Sequence, residues 1–180
     1  MKKVIKALLV LGVIALGTFA SMCMGSEESS NVHASCPATK YLLKGPDFEE
    51  TGWRIMEPRT LPLKVVPEEY ECSAKGQVVK IQFGSATSYI YGIFIFKDSE
   101  TAQKEFQKIK EYYINKGSIE KKSIGDEAFD YQVISGATAD VYDSWVRIGN
   151  VIIGMKSAGL ITEQWDVMKL IIKKLKKSES

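Results

Sequence analysis

Tyr89-Ile90-Tyr91-Gly92-Ile93-Phe94-Ile95-Phe96, followed at once by Lys97-Asp98-Ser99-Glu100, is the stretch that decides the fold. Apart from Gly92 it is apolar at odd and even positions alike, so a strand here shows apolar side chains on both faces. Such a strand belongs in the middle of a sheet that is covered on either side. Directly behind it, Asp98 or Ser99 is placed to cap a helix. Ala102, Phe106, Ile109 and Tyr113 then recur at helical spacing,. Glu100 stands four residues before Lys104, and Asn115-Lys116-Gly117 supplies the stop,.

The chain before this unit reads as further strands. From Gln77, where the core is expected to begin, Val79, Ile81 and Phe83 should point one way and Lys80 and Gln82 the other,. Gly52–Met56 alternates apolar and polar residues and predicts a first strand,. Leu61–Pro67 is strand-like, but its two prolines confine it to an edge,. Pro67–Glu71, with proline first and acids behind it, suits a single helical turn,. After the central unit, Phe129, Tyr131 and Val133 form a strand. Asp140–Ile148 and Val151–Lys156 then make a hairpin around Gly149-Asn150, a strong two-residue turn signal,. Thr162 is the expected cap of a last helix, with Trp165, Met168, Ile172 and Leu175 on one face and lysines elsewhere. Antiparallel strands interrupted by one helix and closed by another predict an α+β domain over residues 41–177: a curved, mainly antiparallel sheet with helices packed on it,.

Two segments carry a resemblance. Ile124-Gly125-Asp126-Glu127-Ala128-Phe129 and Trp145-Val146-Arg147-Ile148-Gly149-Asn150-Val151-Ile152-Ile153 are similar to the turn-into-strand and tight hairpin of small exported lipoproteins and sensor-type domains with a PsbP-like fold. The match spans roughly residues 75–177. It implies a PsbP-like sandwich and an extracytoplasmic module that binds or scaffolds. It brings no catalytic residue with it.

The amino terminus gives an address. Met1–Lys6 carries three lysines and no acid, and Ala7–Ala20 is an apolar run broken by Gly12, Gly17 and Thr18. A polar stretch follows. This order is the layout of an export segment, here residues 1–22, with residues 23–40 as a polar linker,. The run is shorter than the roughly 20 residues that span hydrocarbon comfortably. Three fates are compatible with it. Thr18-Phe19-Ala20 suits a cut after Ala20 that releases a soluble protein. Ala20-Ser21-Met22-Cys23 resembles a lipobox, with Met22 where Gly, Ala or Ser is usual, and would lipidate Cys23. The third fate is an uncut anchor.

Three cysteines are present, and outside the reducing cytoplasm an odd thiol needs its own task,. Lipid on Cys23 leaves Cys36 and Cys72 to pair, closing a loop that stabilises the fold by about 4 kcal/mol on the chain-entropy model,.

The chain has 180 residues with 24 basic and 22 acidic side chains. Lys2, Lys3 and Lys6 belong to the export segment, so the remainder is near neutral and offers no basic field for nucleic acid,. Catalytic supplies are thin. The one histidine, His33, lies in the linker, which argues against a Ser-His-Asp or Cys-His triad,. The cysteines lack zinc-ligand spacing, and phosphate-cradling glycine motifs are absent. Acids group at Asp47-Glu49-Glu50, Glu68-Glu69-Glu71 and Asp126-Glu127-Asp130, without calcium-loop spacing,. The aromatics are expected to fill the sheet–helix interface, with Tyr89, Tyr91 and Tyr113 as candidates should a pocket beneath the sheet take a ligand,.

These readings predict a non-enzymatic extracytoplasmic domain of the cell envelope, membrane-anchored or secreted. It would need no cofactor and no metal. Its partners would be the membrane, through an anchor or lipid, and an envelope protein or small ligand. The alternatives are an envelope hydrolase using paired carboxylates and an assembly factor for a membrane complex.

Overall fold

Among the described residues seven strands make the sheet: β1 (Trp53–Met56), β2 (Cys72–Gln82), β3 (Ser85–Ile95), β4 (Glu120–Lys121), β5 (Glu127–Ile134), β6 (Val141–Ile148) and β7 (Val151–Ala158). Two helices, α1 (Ser99–Ile114) and α2 (Ile161–Ser178), pack on it. The structure is a computed structural model that describes residues 36–49, 52–58, 60–134, 140–158 and 161–178. The expected export segment, Cys23, His33 and Glu50 lie outside them. The strand order is β1-β2-β3-β7-β6-β5-β4, every pairing is antiparallel, and the sheet is curved and open. This is the α+β architecture expected.

The central stretch behaves as its composition demands. β3 lies between β2 and β7. Tyr89, Tyr91 and Ile93 enter one core, beneath α2, while Phe94 enters the other, beneath α1. Asp98 caps α1 by accepting from the Thr101 N–H at 2.7 Å, and Ala102, Phe106, Ile109 and Tyr113 are its buried stripe. Across the sheet, Val167, Met168, Ile171, Ile172 and Leu175 of α2 are buried, each contributing about 1.5–3 kcal/mol by leaving water,. Helix α2 begins at Ile161, one residue before the expected Thr162 cap.

Several expectations are corrected. β2 begins at Cys72, not Gln77, and its inward residues are Ala74, Gly76 and Val78, so the expected phase is inverted. Val78 is fully buried, whereas Ile81 is exposed and Phe83 sits at the hairpin tip, 98 % exposed. The cause lies in the partner strand: Gly76 stands opposite Tyr91, whose ring folds over the space a Cβ would need. Leu61–Pro67 is not a strand. It belongs to a strap, residues 60–71, that crosses the α1 face and buries Leu63 with Leu61 and Val65 packed beside it. Pro67–Glu71 forms no helical turn either, because its backbone groups find partners elsewhere. The Glu68 N–H donates to Glu105 at 2.9 Å and the Glu71 N–H to the Ile95 carbonyl at 2.8 Å.

Pro37–Tyr41 is a 3-10 turn, not linker in character, with Ala38 and Tyr41 in the α2-side core. Beside it Cys36 is bonded to Cys72 across a Cα–Cα distance of 5.7 Å, fixing the entering chain to the start of β2. The segments that carry the PsbP-like resemblance lock onto each other. Asp126 accepts from Arg147 at 3.0 Å and from the Gly149 N–H at 2.8 Å, while Asn150 donates to the Phe96 carbonyl at 2.7 Å.

Candidate functional site

The side chains best placed to meet a ligand line a groove beside α2. Its floor is built by β1 and β2, which set Trp53 directly opposite Lys80 on the α2 face. A second 3-10 turn, Gly45–Asp47, brings Asp47, Phe48 and Glu49 to one wall. Glu163, Asp166, Lys169 and Lys173 of α2 form the other. The groove measures about 430 Å³, within the range of small-molecule sites,.

Trp53 is held on both sides. Phe48 stacks on it with ring centroids 4.7 Å apart, and the Lys80 ammonium lies 5.3 Å from its ring centroid. Lys80 also bonds Glu163 at 2.9 Å, and the other Glu163 oxygen accepts from the Tyr89 hydroxyl at 2.8 Å. Burial pushes the Glu163 carboxyl up, but the bonds from Lys80 and Tyr89 outweigh it and hold the group below the ordinary glutamate value. Asp47 behaves alike: burial raises it, and the Lys174 bond at 2.6 Å together with the Lys44 N–H brings it lower. Both carboxylates are therefore ionised at neutral pH. They suit charge recognition and do not offer a proton, the first requirement of a general acid.

Tyr89, Tyr91 and Tyr113 are not brought together. Tyr89 and Tyr91 are buried on the α2 face and Tyr113 on the α1 face. Burial and its bond to Glu163 raise the Tyr89 hydroxyl. Tyr91, pushed up to about 12 by burial, accepts from the Leu43 N–H at 2.9 Å and braces the entering chain. Tyr113 donates to buried Asp143 at 2.8 Å, and Lys156 pairs with the other oxygen at 3.0 Å. Tyr89 alone reaches the groove, through Glu163.

The acid groups named from sequence are scattered. Asp47 and Glu49 line the groove. Glu68 and Glu69 lie beside α1, where they act on Lys108. Asp126 and Glu127 engage Arg147. Asp130 is buried under α2, where it accepts from Ser144 and, at 2.8 Å, from Trp165 Nε1. Burial raises its carboxyl in spite of those bonds. It does not line the groove. Among the described residues no three His, Cys, Asp or Glu side chains converge in a way that could hold a metal.

Sequence reading missed Glu163 and Lys80 as partners. The inverted phase of β2 put Lys80 on the wrong side, and Glu163 looks like any acid in a helix's first turn. A usable signal was present: correct phasing would have set Lys80 beside Trp53.

No protein-family model matches the chain, and no curated protein matches it. Among solved structures it is similar in fold to the extracellular domain of PknH from Mycobacterium tuberculosis, with a TM-score of 0.51 and 8 % identity. The likeness covers 78 % of this chain and 95 % of that one. At that identity it speaks for the fold, and it does not bear on the PsbP-like resemblance.

Proposed function

We propose that this chain is a non-enzymatic binding module of the cell envelope, carried out of the cytoplasm and held at the membrane by its amino-terminal segment. The groove between Trp53 and α2 is its ligand site. The observation that carries the reading is the Lys80–Glu163 pair. It is set at 2.9 Å beside the half-buried Trp53, with Tyr89 orienting the carboxylate from below. A fixed positive and a fixed negative group in one partly desolvated groove are an arrangement for recognising a polar ligand of either sign or a zwitterion. Export is supported by the leader sequence, by the Cys36–Cys72 bond and by the likeness in fold to an extracellular domain,.

A ligand-observed NMR screen of charged small-molecule fragments tests the groove. Hits should compete with one another and weaken at least tenfold in Lys80→Gln. A set of hits indifferent to that change contradicts the assignment. A second reading, an assembly factor for a membrane complex, is favoured by apolar side chains left in solvent at one edge of the sheet: Ile55 and Met56 on β1, Ile81 on β2, and Phe83 at the β2–β3 tip,. Cross-linking in membranes followed by co-purification would distinguish it.

A further inference from the structure

We infer that the outer face of α2, with the point where the chain enters the body, is a docking surface for an anionic phospholipid bilayer. This rests on the membrane-tether reading and adds to it the side that faces the membrane. From Val167 to its end α2 carries five lysines and no acid. At 100° per residue, Lys173, Lys176 and Lys177 fall in one stripe, opposite the buried stripe of Met168, Ile171, Ile172 and Leu175,. All three are exposed. The helix dipole accounts for lysines in the last turn but not for Lys173, which lies before it.

The same edge receives the entering chain. Lys174 turns inward and bonds the Leu42 carbonyl at 2.8 Å and Asp47 at 2.6 Å, tying α2 to the segment that follows Cys36. That segment adds exposed Lys40 and Lys44. Of its acids, Asp47 is answered by Lys174, while exposed Glu49 lines the groove that Lys173 also borders; Lys169 of α2 is paired with Asp166. Of the strap's acids, Glu68 and Glu69 lie beside α1 on the opposite face, and exposed Glu71 stands next to Cys72. The Cys36–Cys72 bond keeps this arrangement fixed.

Fifteen residues separate Ala20 from Cys36. A chain of that length reaches at most about 50 Å. An apolar run seated in a bilayer therefore keeps the edge where the chain enters within reach of the headgroups. A short or single-chain anchor binds marginally alone, and a basic patch is the usual second signal. Each lysine brought to an anionic surface strengthens binding roughly fivefold.

The test is flotation of the full chain with vesicles of phosphatidylcholine alone or with 30 % phosphatidylglycerol. The full chain should bind the anionic vesicles at least tenfold more strongly, and the gap should close in 0.5 M salt and in K173Q/K176Q/K177Q. The control K104Q/K108Q, on the opposite face, should keep the gap. Equal binding to both vesicles, or a gap that survives in the triple variant or closes in the control, overturns the lysine surface. Failure to float with neutral vesicles while binding anionic ones removes the tether and leaves the surface standing. Binding to neither removes both.

Discussion

Glu163 draws on two partners at once, Lys80 and Tyr89, and this makes its charge a contributor to stability. Its folded pKa lies below the ordinary value of 4.5, so the contribution is fully present above about pH 4.5 and is lost as pH falls through the lower folded value,. The pair is partly buried, and the effect should be on the order of 1 kcal/mol. Urea midpoints at pH 7 and pH 3 should therefore fall less in Glu163→Gln than in the wild type; an equal fall contradicts this role. Phe83 is a residue at odds with its place. It turns the β2–β3 hairpin at φ 49° beside Gly84 at φ 79°, a left-handed pair that suits Asn-Gly, and its ring is almost wholly in water,. Phe83→Asn should stabilise the fold by about 1 kcal/mol, read as a raised denaturant midpoint. A lowered midpoint would show that the ring packs on something the chain itself supplies.

At the scale of elements, the strap over the α1 face depends on two glycines that face each other in β3 and β7, Gly92 and Gly154. A Cβ on Gly154 would come within 2.5 Å of the Trp145 ring and 2.8 Å of Leu63. Gly154→Ala should cost about 1–3 kcal/mol by overpacking and loosen the strap, seen as faster amide exchange at Glu68, whose N–H holds it to Glu105,. Unchanged stability would mean that the strap is not seated by this close approach. The same elements show what sequence carries and what it does not. β3, α1 and the β6–β7 hairpin are legible because local pattern and tertiary role agree: apolar on both faces, capped, turned at Gly-Asn. β2 was misphased because Ile81 and Phe83 are apolar residues spent on a solvent edge, while Gly76 is an inward position filled by a neighbour's ring. The strap could not be read at all, since Leu61, Leu63 and Val65 alternate like a strand yet pack down on the α1 face of the sheet without pairing with it.

For the whole molecule, the groove and the entry point were less legible than the layers. Both join segments far apart in the chain: Asp47 meets Lys174, and Lys80 meets Glu163. Charge pairs of this range leave no periodic trace. The cysteine pairing was readable because parity and compartment constrain it without geometry. Its removal by Cys36→Ser with Cys72→Ser should lower stability by up to about 4 kcal/mol and free Pro37–Tyr41 first, detectable as a loss of protection at Leu43,. A double variant as stable as the wild type would assign the entering segment's hold to Tyr91 and Lys174 alone. The proposed tether, disulfide role and lysine face all require a chain that lives beyond the cytoplasm, at a membrane. Non-reducing mass spectrometry of the protein taken from its native membrane fraction tests that most directly. The predicted result is a peptide pair joined through Cys36 and Cys72, on a chain that floats with the membranes; a full-length chain with both thiols free, found among cytosolic proteins, would contradict it.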